Sequence, residues 1–268
     1  MKNFDLESNR EMWNEWAELH VNSEFYNVES FKKGRSSLYP IAVEEVGDVG
    51  GKSLLHLMCH FGKDTLSWAR RGAKVTGIDF SDKAINIARS LAKGLELDAE
   101  FICSNLYDLP MNLDRQFDIV FTSAGVLCWL PDLEEWGRVI AQFLKSGGFF
   151  YILEGHPFLN MLLDEDPDAS KPEILRSYFY TPEPEVYQSA ASYAGVKTSK
   201  THTGKEWTHS LGDIVNTLIS AGLRIEFLRE YPYIFFKAMP YMEQDSDGSW
   251  RIPGDKIPLI FTLKATKP

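Results

Sequence analysis

The stretch SLLHLMCHFGKDTLSWARRGAKVTGIDFS, residues 53–81, decides the fold of this chain. Ser53–Met58 is a short apolar run typical of a buried parallel strand, and Lys74–Ile78 has the same character. A tight turn and a helix lie between them, and Asp79 follows the second strand. This unit predicts the adenosine half of a nucleotide-type fold, in which the carboxylate takes two ribose hydroxyls. The alternative is an ordinary buried unit with a solvated Asp79.

The turn carries the features that connect this stretch to a known family. It resembles motif I of class I S-adenosylmethionine-dependent methyltransferases, whose usual form is a strand followed by D-x-G-x-G-x-G. His56 takes the usual acidic place, Met58 and His60 take two of the glycine places, and Gly62 keeps the last. The segment also resembles a bacterial subgroup with LHLxCHFGxDTLSxAxxGAxVTGxDFS, a pattern that this chain matches almost throughout.

The resemblance implies an α/β, Rossmann-like methyltransferase fold. Its sheet has seven strands, mostly parallel with an antiparallel last strand, and helices cover both faces. Further apolar runs predict strands at Ala99–Cys103, Phe117–Thr122, Phe149–Glu154, Arg224–Tyr231 and Pro258–Ala265. The whole chain, 1–268, is expected to be one methyltransferase domain, with a helical cap over residues 1–50 and a substrate-covering insertion over residues 157–207.

The resemblance also implies S-adenosyl-L-methionine as cofactor and a set of residues around it. In the family, the side chain at the place of Asn105 accepts from the adenine amine, and the next amide, that of Leu106, meets a ring nitrogen. Asn105 has an alternative role in an Asx-type turn. The residues expected at the cofactor in the sheet and its loops are His56, Met58, Cys59, His60, Gly62, Asp79, Phe80, Asn105, Leu106, Ser123 and Ala124.

The segment before the first strand adds two cofactor candidates. Helical spacing of apolar residues predicts helices at Glu7–Val21, Glu24–Lys32 and Ser37–Val46. In methyltransferases of this class such helices often cover the cofactor, and packing against the sheet is the alternative. Tyr26 is a candidate for this cover. Arg35 is a candidate partner of the cofactor carboxylate, because a guanidinium suits a planar anion, and a surface salt bridge is its alternative.

Aromatic residues mark the expected substrate side. Trp129 follows the fourth strand and is expected to form a wall, since an aromatic face favours a sulfonium cation; a core position is the alternative. Tyr193 belongs to the aromatic insertion, which forms either a mostly apolar pocket or a small satellite core. Trp207 and His209, in EWTHSLGDIV, are expected to face the substrate.

One acid/base pair stands near the carboxyl ends of the strands. Glu154 ends the predicted fifth strand and His156 follows it. A histidine titrates near neutral pH and can take a proton from an attacking hydroxyl or amine, so His156 is the candidate catalytic residue. The alternative is a structural histidine or one that binds the cofactor tail.

Composition limits the other function classes. The 268 residues carry a net charge of −10 without a basic run, so nucleic acid is not an expected partner. No run is long and apolar enough to span a bilayer, so a membrane is not expected either. Three cysteines without disulfide spacing, and a polar start, predict a reduced cytoplasmic protein. A metal site is not expected, because the one Cys-His pair has no second pair at ligand spacing.

These observations favour a methyltransferase that acts on an unidentified small-molecule acceptor. One alternative is a non-catalytic S-adenosylmethionine-binding or regulatory protein, which the altered motif I suggests. The other is an NAD-dependent oxidoreductase, which is disfavoured because G-x-G-x-x-G is absent. The predicted ending of helix, strand, turn and strand also fits methyltransferases better.

Overall fold

The structure, a computed structural model, describes residues 6–162, 166 and 168–268. The helices are α1 Glu7–His20, α2 Val28–Lys32, α3 Pro40–Val46, α4 Lys63–Arg70, α5 Asp82–Gly94, α6 Leu109–Asn112, α7 Leu133–Phe143, α8 Pro157–Leu162 and α9 Leu211–Ser220. The strands are β1 Ser53–Leu57, β2 Lys74–Asp79, β3 Ala99–Cys103, β4 Phe117–Thr122, β5 Leu144–Gly155, β6 Glu185–Ala191, β7 Lys197–Glu206, β8 Arg224–Tyr231, β9 Tyr233–Ile234, β10 Glu243–Gln244, β11 Trp250–Arg251 and β12 Ile260–Thr266. None of the described helices combines the length and the hydropathy that a bilayer span needs.

Seven strands form the main sheet, in the order β3-β2-β1-β4-β5-β12-β8. Strand β1 pairs in parallel with both β2 and β4, so the strand order reverses around it. The last strand, β12, is antiparallel to both of its neighbours, β5 and β8. This confirms the predicted Rossmann-like sheet. The carboxyl ends of β1 and β4 mark the switch point at which open α/β sheets bind ligands.

Both faces of the sheet are covered, which explains the nearly continuous apolar strands. Leu55 packs in a cluster with Trp136 and Phe150 on one face. The adjacent Leu54 packs with Trp68 on the other face, because successive side chains of a strand point to opposite sides. Burying each side chain of this size contributes about 1.5–3 kcal/mol to folding.

Several predicted boundaries are wrong for local reasons. The second helix begins at Val28 rather than Glu24, because Asn27 has a left-handed φ of 40° and its side chain caps the amide of Ser30. The third begins at Pro40, and the preceding Tyr39 is extended, as residues before proline tend to be.

The fifth strand also begins earlier than predicted. The apolar run predicts a strand from Phe149, but α7 ends at Phe143 and β5 begins at Leu144. The residue that follows β12, Lys267, pairs with this part of β5. The Gly147 amide donates to the Lys267 carbonyl at 2.8 Å, and the Lys267 amide donates to the Gly148 carbonyl at 2.9 Å. Pairing with the end of β12 therefore extends the strand beyond the predicted apolar run.

The N-terminal helix α1 packs against α5 and against the hairpin β6–β7. Asn9 donates to the Lys205 carbonyl and accepts from the Lys205 amide, both at 2.8 Å. His202 Nε2 donates to Glu15 at 2.6 Å. The helical segment and the insertion therefore touch each other.

The division into a cap and an insertion stays a prediction. Residues 1–5 of the expected cap lie outside the described residues. So do residues 163–165 and 167 of the expected insertion.

Gly62 gives a direct test of the packing beneath the turn. It has a φ of 77°, and an added Cβ would lie 2.6 Å from a ring carbon of Phe101. We expect Gly62→Ala to lower the free energy of unfolding by about 2–4 kcal/mol, measured by urea denaturation. Gly94→Ala is the control, since nothing lies within 4 Å of its added Cβ. Equal losses in the two variants would contradict this account.

Candidate active site

The turn after β1 has positive φ values at the three glycine places, although only one of them is a glycine. Met58, His60 and Gly62 have φ values of 55°, 51° and 77°, and these are the three glycine places of motif I. The left-handed region costs an L-residue roughly 1–2 kcal/mol. Such strain persists where the surroundings fix it, and it is concentrated at functional sites.

Backbone hydrogen bonds fix the turn to the end of β2. The Cys59 amide donates to the Ile78 carbonyl at 2.8 Å, and the His60 amide donates to Asp79 Oδ2 at 2.8 Å. The thiol of Cys59 is buried, and burial raises the pKa of Cys59 well above its ordinary value. Cys59 is therefore a packing residue of the turn, and a cofactor contact for it stays a prediction.

Asp79 is the central acidic group of the site. Its other oxygen, Oδ1, accepts from the Ser81 amide at 2.9 Å. The residue is only 7% exposed, and burial raises the pKa of Asp79 to about 6 against the opposing effect of these amides. The amides hold the carboxylate in one orientation at the carboxyl end of β2.

His56 joins β1 to two neighbouring segments. Its Nδ1 lies 2.8 Å from Thr65 Oγ1 on α4, and its Nε2 lies 3.2 Å from Ser123 Oγ after β4. Burial lowers the pKa of His56 to about 3, so the ring is neutral at neutral pH. Both nitrogens are engaged within the protein. A cofactor contact for His56 stays a prediction, as it does for Ser123 and for the exposed Ala124.

A small cleft, partly open to solvent, lies beside the turn. Its walls include Met58, Phe80, Asn105, Leu106, Tyr107 and Trp129. The cleft brings together residues that the sequence placed at the adenine and at the substrate. Asn105 Oδ1 accepts from the Tyr107 amide at 3.0 Å, so the Asx-type turn is present. An amide oxygen has a second lone pair, and the adenine role of Asn105 stays a prediction.

Glu154 organises the loop after β4. Its carboxylate accepts four backbone N–H groups, at 2.5–3.2 Å, from Gly125, Val126, Leu127 and Gly155. Burial raises the pKa of Glu154, and the four amides act in the opposite direction. The expected acid/base residue is thus fully engaged in holding the loop that carries Trp129.

An aromatic cover lies over the turn, formed by Trp13, Trp16, His20, Tyr26, Trp129 and Tyr193. The Trp13 ring centroid lies 5.2 Å from that of His60 and 5.3 Å from that of Trp129. The hydroxyls of Tyr26 and Tyr193 are hydrogen-bonded. The cover therefore reaches from the motif I turn to the loop after β4.

Sequence reasoning missed three members of this cover. It treated Trp13, Trp16 and His20 only as apolar spacing in α1. Their spacing places them on one helical face, which indicates that the face is buried but not which residues bury it.

Arg35, the basic residue predicted to contact the cofactor carboxylate, is exposed and is not among the described residues that line the cleft. Lys63, at the start of α4, lies nearer to the turn, and its Nζ donates to the Tyr26 carbonyl. A carboxylate contact for Arg35 stays a prediction.

His156, the histidine of the predicted acid/base pair, is hydrogen-bonded within the protein through both ring nitrogens. His156 Nε2 donates to Glu230 Oε1 at 2.9 Å, and the Phe158 amide donates to His156 Nδ1 at 3.1 Å. With both nitrogens engaged and the residue only 1% exposed, these contacts favour the structural alternative. A catalytic role for His156 stays a prediction.

Trp207 and His209 are hydrogen-bonded to the backbone of the loop after β4. His209 Nε2 donates to the Leu130 carbonyl at 2.6 Å. The Trp207 amide donates to the Cys128 carbonyl at 2.8 Å, and its indole N–H donates to the Pro182 carbonyl at 3.2 Å. These bonds support the wall that holds Trp129, and a direct substrate contact stays a prediction for both residues.

Comparison with known proteins agrees with this geometry. Residues 55–152 match the family model described as "Methyltransferase domain". Solved structures of S-adenosylmethionine-dependent methyltransferases superpose on most of the chain. The putative enzyme from Listeria monocytogenes has a TM-score of 0.55 at 17% identity, covering 85% of this chain and 97% of that one. The enzyme from Mesorhizobium loti has a TM-score of 0.55 at 18% identity, covering 88% and 99%.

The fold is that of S-adenosylmethionine-dependent methyltransferases. Curated relatives include a ubiquinone biosynthesis O-methyltransferase of Chromobacterium violaceum, 32% identical over 111 residues, which are 41% of this chain and 47% of the relative. The protein of the same name from Bordetella avium is 29% identical over 186 residues, 65% of this chain and 76% of the relative. The first of these relatives is matched over about half of its length.

The carboxylate of Glu154 can be tested without a ligand. We expect Glu154→Gln to lower the free energy of unfolding by about 3–5 kcal/mol, because one amide oxygen cannot serve four buried N–H donors. The measurement is urea denaturation. Glu134→Gln is the matched control, since the side chain of Glu134 is 79% exposed and its loss should stay within about 0.5 kcal/mol. A similar small loss for Glu154→Gln would show that the loop does not depend on it.

Proposed function

We propose that this chain is an S-adenosylmethionine-dependent methyltransferase that acts on a small-molecule acceptor. It belongs, in this proposal, to the bacterial subgroup with the LHLxCHFGxDTL form of motif I. The observation that carries the proposal is the match of residues 55–152 to the methyltransferase domain, because this range contains the turn, Asp79 and the loop after β4. These three parts build the cleft and its surroundings.

The residues of the cleft fit the proposed cofactor. Apolar side chains of Met58 and Phe80 suit the two faces of an adenine ring, and Asn105 and Leu106 supply polar atoms at its edge. Asp79, held by two amides, would accept from the ribose hydroxyls. The turn keeps left-handed φ values at the three glycine places of motif I, two of which carry side chains here, and it would hold the rest of the molecule.

When bound, S-adenosylmethionine supplies a methyl group that is already activated on its sulfonium sulfur. The protein then has to orient the acceptor in line with that methyl and keep water away. The aromatic cover serves both purposes. Trp13 and Trp129 pack edge to face, at 5.3 Å, between the motif I turn and the loop after β4.

We propose a hydroxyl-bearing aromatic compound as the acceptor. The walls of the aromatic cover suit a flat and largely uncharged molecule. The curated relatives bear the name ubiquinone biosynthesis O-methyltransferase, which points to transfer to oxygen. The segments 1–50 and 157–207 would close over this acceptor. No nucleic-acid partner is part of the proposal, and a cytoplasmic location remains a prediction.

A non-catalytic cofactor-binding protein is the second candidate. The replacement of two motif I glycines by Met58 and His60 favours it. Transfer of labelled methyl from S-adenosylmethionine to a panel of phenols, amines and thiols separates the two functions. We expect labelled product with a phenol; cofactor binding without transfer to any class would support the second candidate instead.

The pKa of Asp79 predicts how cofactor binding depends on pH. Ribose hydroxyls that donate to Asp79 favour its ionised form, so binding lowers its pKa from about 6. The complex then holds fewer protons than the free protein, and affinity rises with pH. We expect S-adenosylhomocysteine to bind about tenfold more tightly at pH 7 than at pH 5, measured by calorimetry.

Asp79→Asn provides the comparison for this prediction. The substitution should weaken binding of S-adenosylhomocysteine at pH 7 and remove most of its pH dependence. Burial keeps the pKa values of His20 and His56 near 4 and 3, so neither histidine titrates between pH 5 and pH 7. A slope that persists in Asp79→Asn would assign the titration to another group.

A further inference from the structure

One histidine of the aromatic cover forms a hydrogen-bonded pair with a histidine of the motif I turn. His20 Nδ1, on α1, lies 3.0 Å from His60 Nε2, in the motif I turn. His20 is fully buried, and His60 stands at one of the motif's glycine places. A glycine there would leave His20 without this partner, so the departure from the usual motif creates the pair.

The outer nitrogens of the pair have no partners among the described residues. His20 Nε2 and His60 Nδ1 are both buried and unpaired. Buried polar atoms of native proteins are nearly always hydrogen-bonded, so this pair is unusual. Because the two neutral rings share one inner proton, one outer nitrogen carries a lone pair and the other an N–H. The pair can therefore accept a proton at one end and release one at the other.

The pair lies at the switch point of the sheet. The amide of His60 donates to Asp79, which the proposed function assigns to the ribose. The ring of Trp13 contacts both His60 and Trp129, at centroid distances of 5.2 and 5.3 Å. His60 therefore contacts the ribose carboxylate directly and the loop after β4 through Trp13, at the edge of the sheet where a ligand would be expected.

The surroundings keep the pair uncharged. Burial lowers the pKa of His20 to about 4. Burial, His20 and the Lys63 ammonium together lower the pKa of His60 well below its ordinary value. The other side chains around the two rings are mainly aromatic: Trp13, Trp16, Tyr26, Phe61 and Tyr193. An unprotonated pair is the form that can act as a base.

We propose that the His20–His60 pair accepts the proton that leaves the acceptor hydroxyl during methyl transfer. This inference rests on the proposed function. The O–CH₃ bond forms as the S–CH₃ bond breaks, and the acceptor proton passes to an outer nitrogen of the pair. The positive charge thus leaves the sulfur and appears on the imidazole pair. The number of charges in the buried site stays constant, so proton uptake does not add a buried charge.

Each of two variants breaks the pair by removing one imidazole, and keeps a polar group for the inner contact. His20→Asn retains a polar group near the place of Nδ1, and His60→Gln retains one near the place of Nε2. His202→Gln is the matched control, because it replaces a buried histidine that contacts Glu15 and leaves the pair intact. Thermal unfolding and calorimetry with S-adenosylhomocysteine establish that each variant folds and binds.

The readout compares two acceptors of different acidity, 1,2-dihydroxybenzene and 4-nitro-1,2-dihydroxybenzene. The nitro compound is largely ionised at neutral pH and needs no base. We expect both pair variants to lose about 100-fold in kcat/KM with the first acceptor, and to recover most of this loss with the second. His202→Gln should keep the wild-type ratio of kcat/KM between the two acceptors.

Each other outcome has a distinct meaning. Equal losses with both acceptors would assign the pair a purely structural role, and no loss would remove it from the reaction; either result overturns the inference and leaves the proposed function standing. A wild-type protein that binds S-adenosylhomocysteine but methylates neither acceptor would contradict both the hydroxyl acceptor and the role of the pair.

Discussion

The contact between the Asp79 carboxylate and the amide of His60 is the constraint on which the site depends. It ties the turn after β1 to the end of β2 at a distance of 2.8 Å. With the Ser81 amide on its other oxygen, Asp79 also fixes the start of α5. Since His60 is held in a left-handed conformation, this bond also sets the direction of its side chain toward His20.

A second buried carboxylate does the same for the opposite side of the site. The carboxylate of Glu154 accepts hydrogen bonds from three backbone amides of the loop after β4, and this loop carries Trp129. Asp79 is the last residue of β2 and Glu154 is the last but one of β5, so the rigid sheet determines where both loops lie. Charge-assisted bonds to backbone N–H groups are among the stronger hydrogen bonds in proteins. The acidic groups therefore shape the site, and the aromatic cover from α1 and the hairpin closes it.

Much of this architecture could be predicted from local pattern. The strands at Ala99–Cys103, Phe117–Thr122 and Arg224–Tyr231 have the bounds that their apolar runs indicate. The antiparallel last strand was also expected. Long-range effects account for what was missed. The residue types of Met58 and His60 do not indicate positive φ, because L-residues disfavour that region. For His60, the bond from its amide to Asp79 joins two separate segments of the chain. Likewise, the pairing of His20 with His60 joins residues 40 positions apart.

The most direct measurement for the central claim is calorimetric titration of the wild-type protein with S-adenosylhomocysteine and, separately, with NAD. A motif I turn that keeps its shape without two of its glycines should bind the sulfur ligand. It should not bind NAD, since the dinucleotide fingerprint G-x-G-x-x-G is absent. Saturable binding of S-adenosylhomocysteine at one site, with no heat from NAD, is the predicted result. Tight binding of NAD with none of the sulfur ligand would contradict the account.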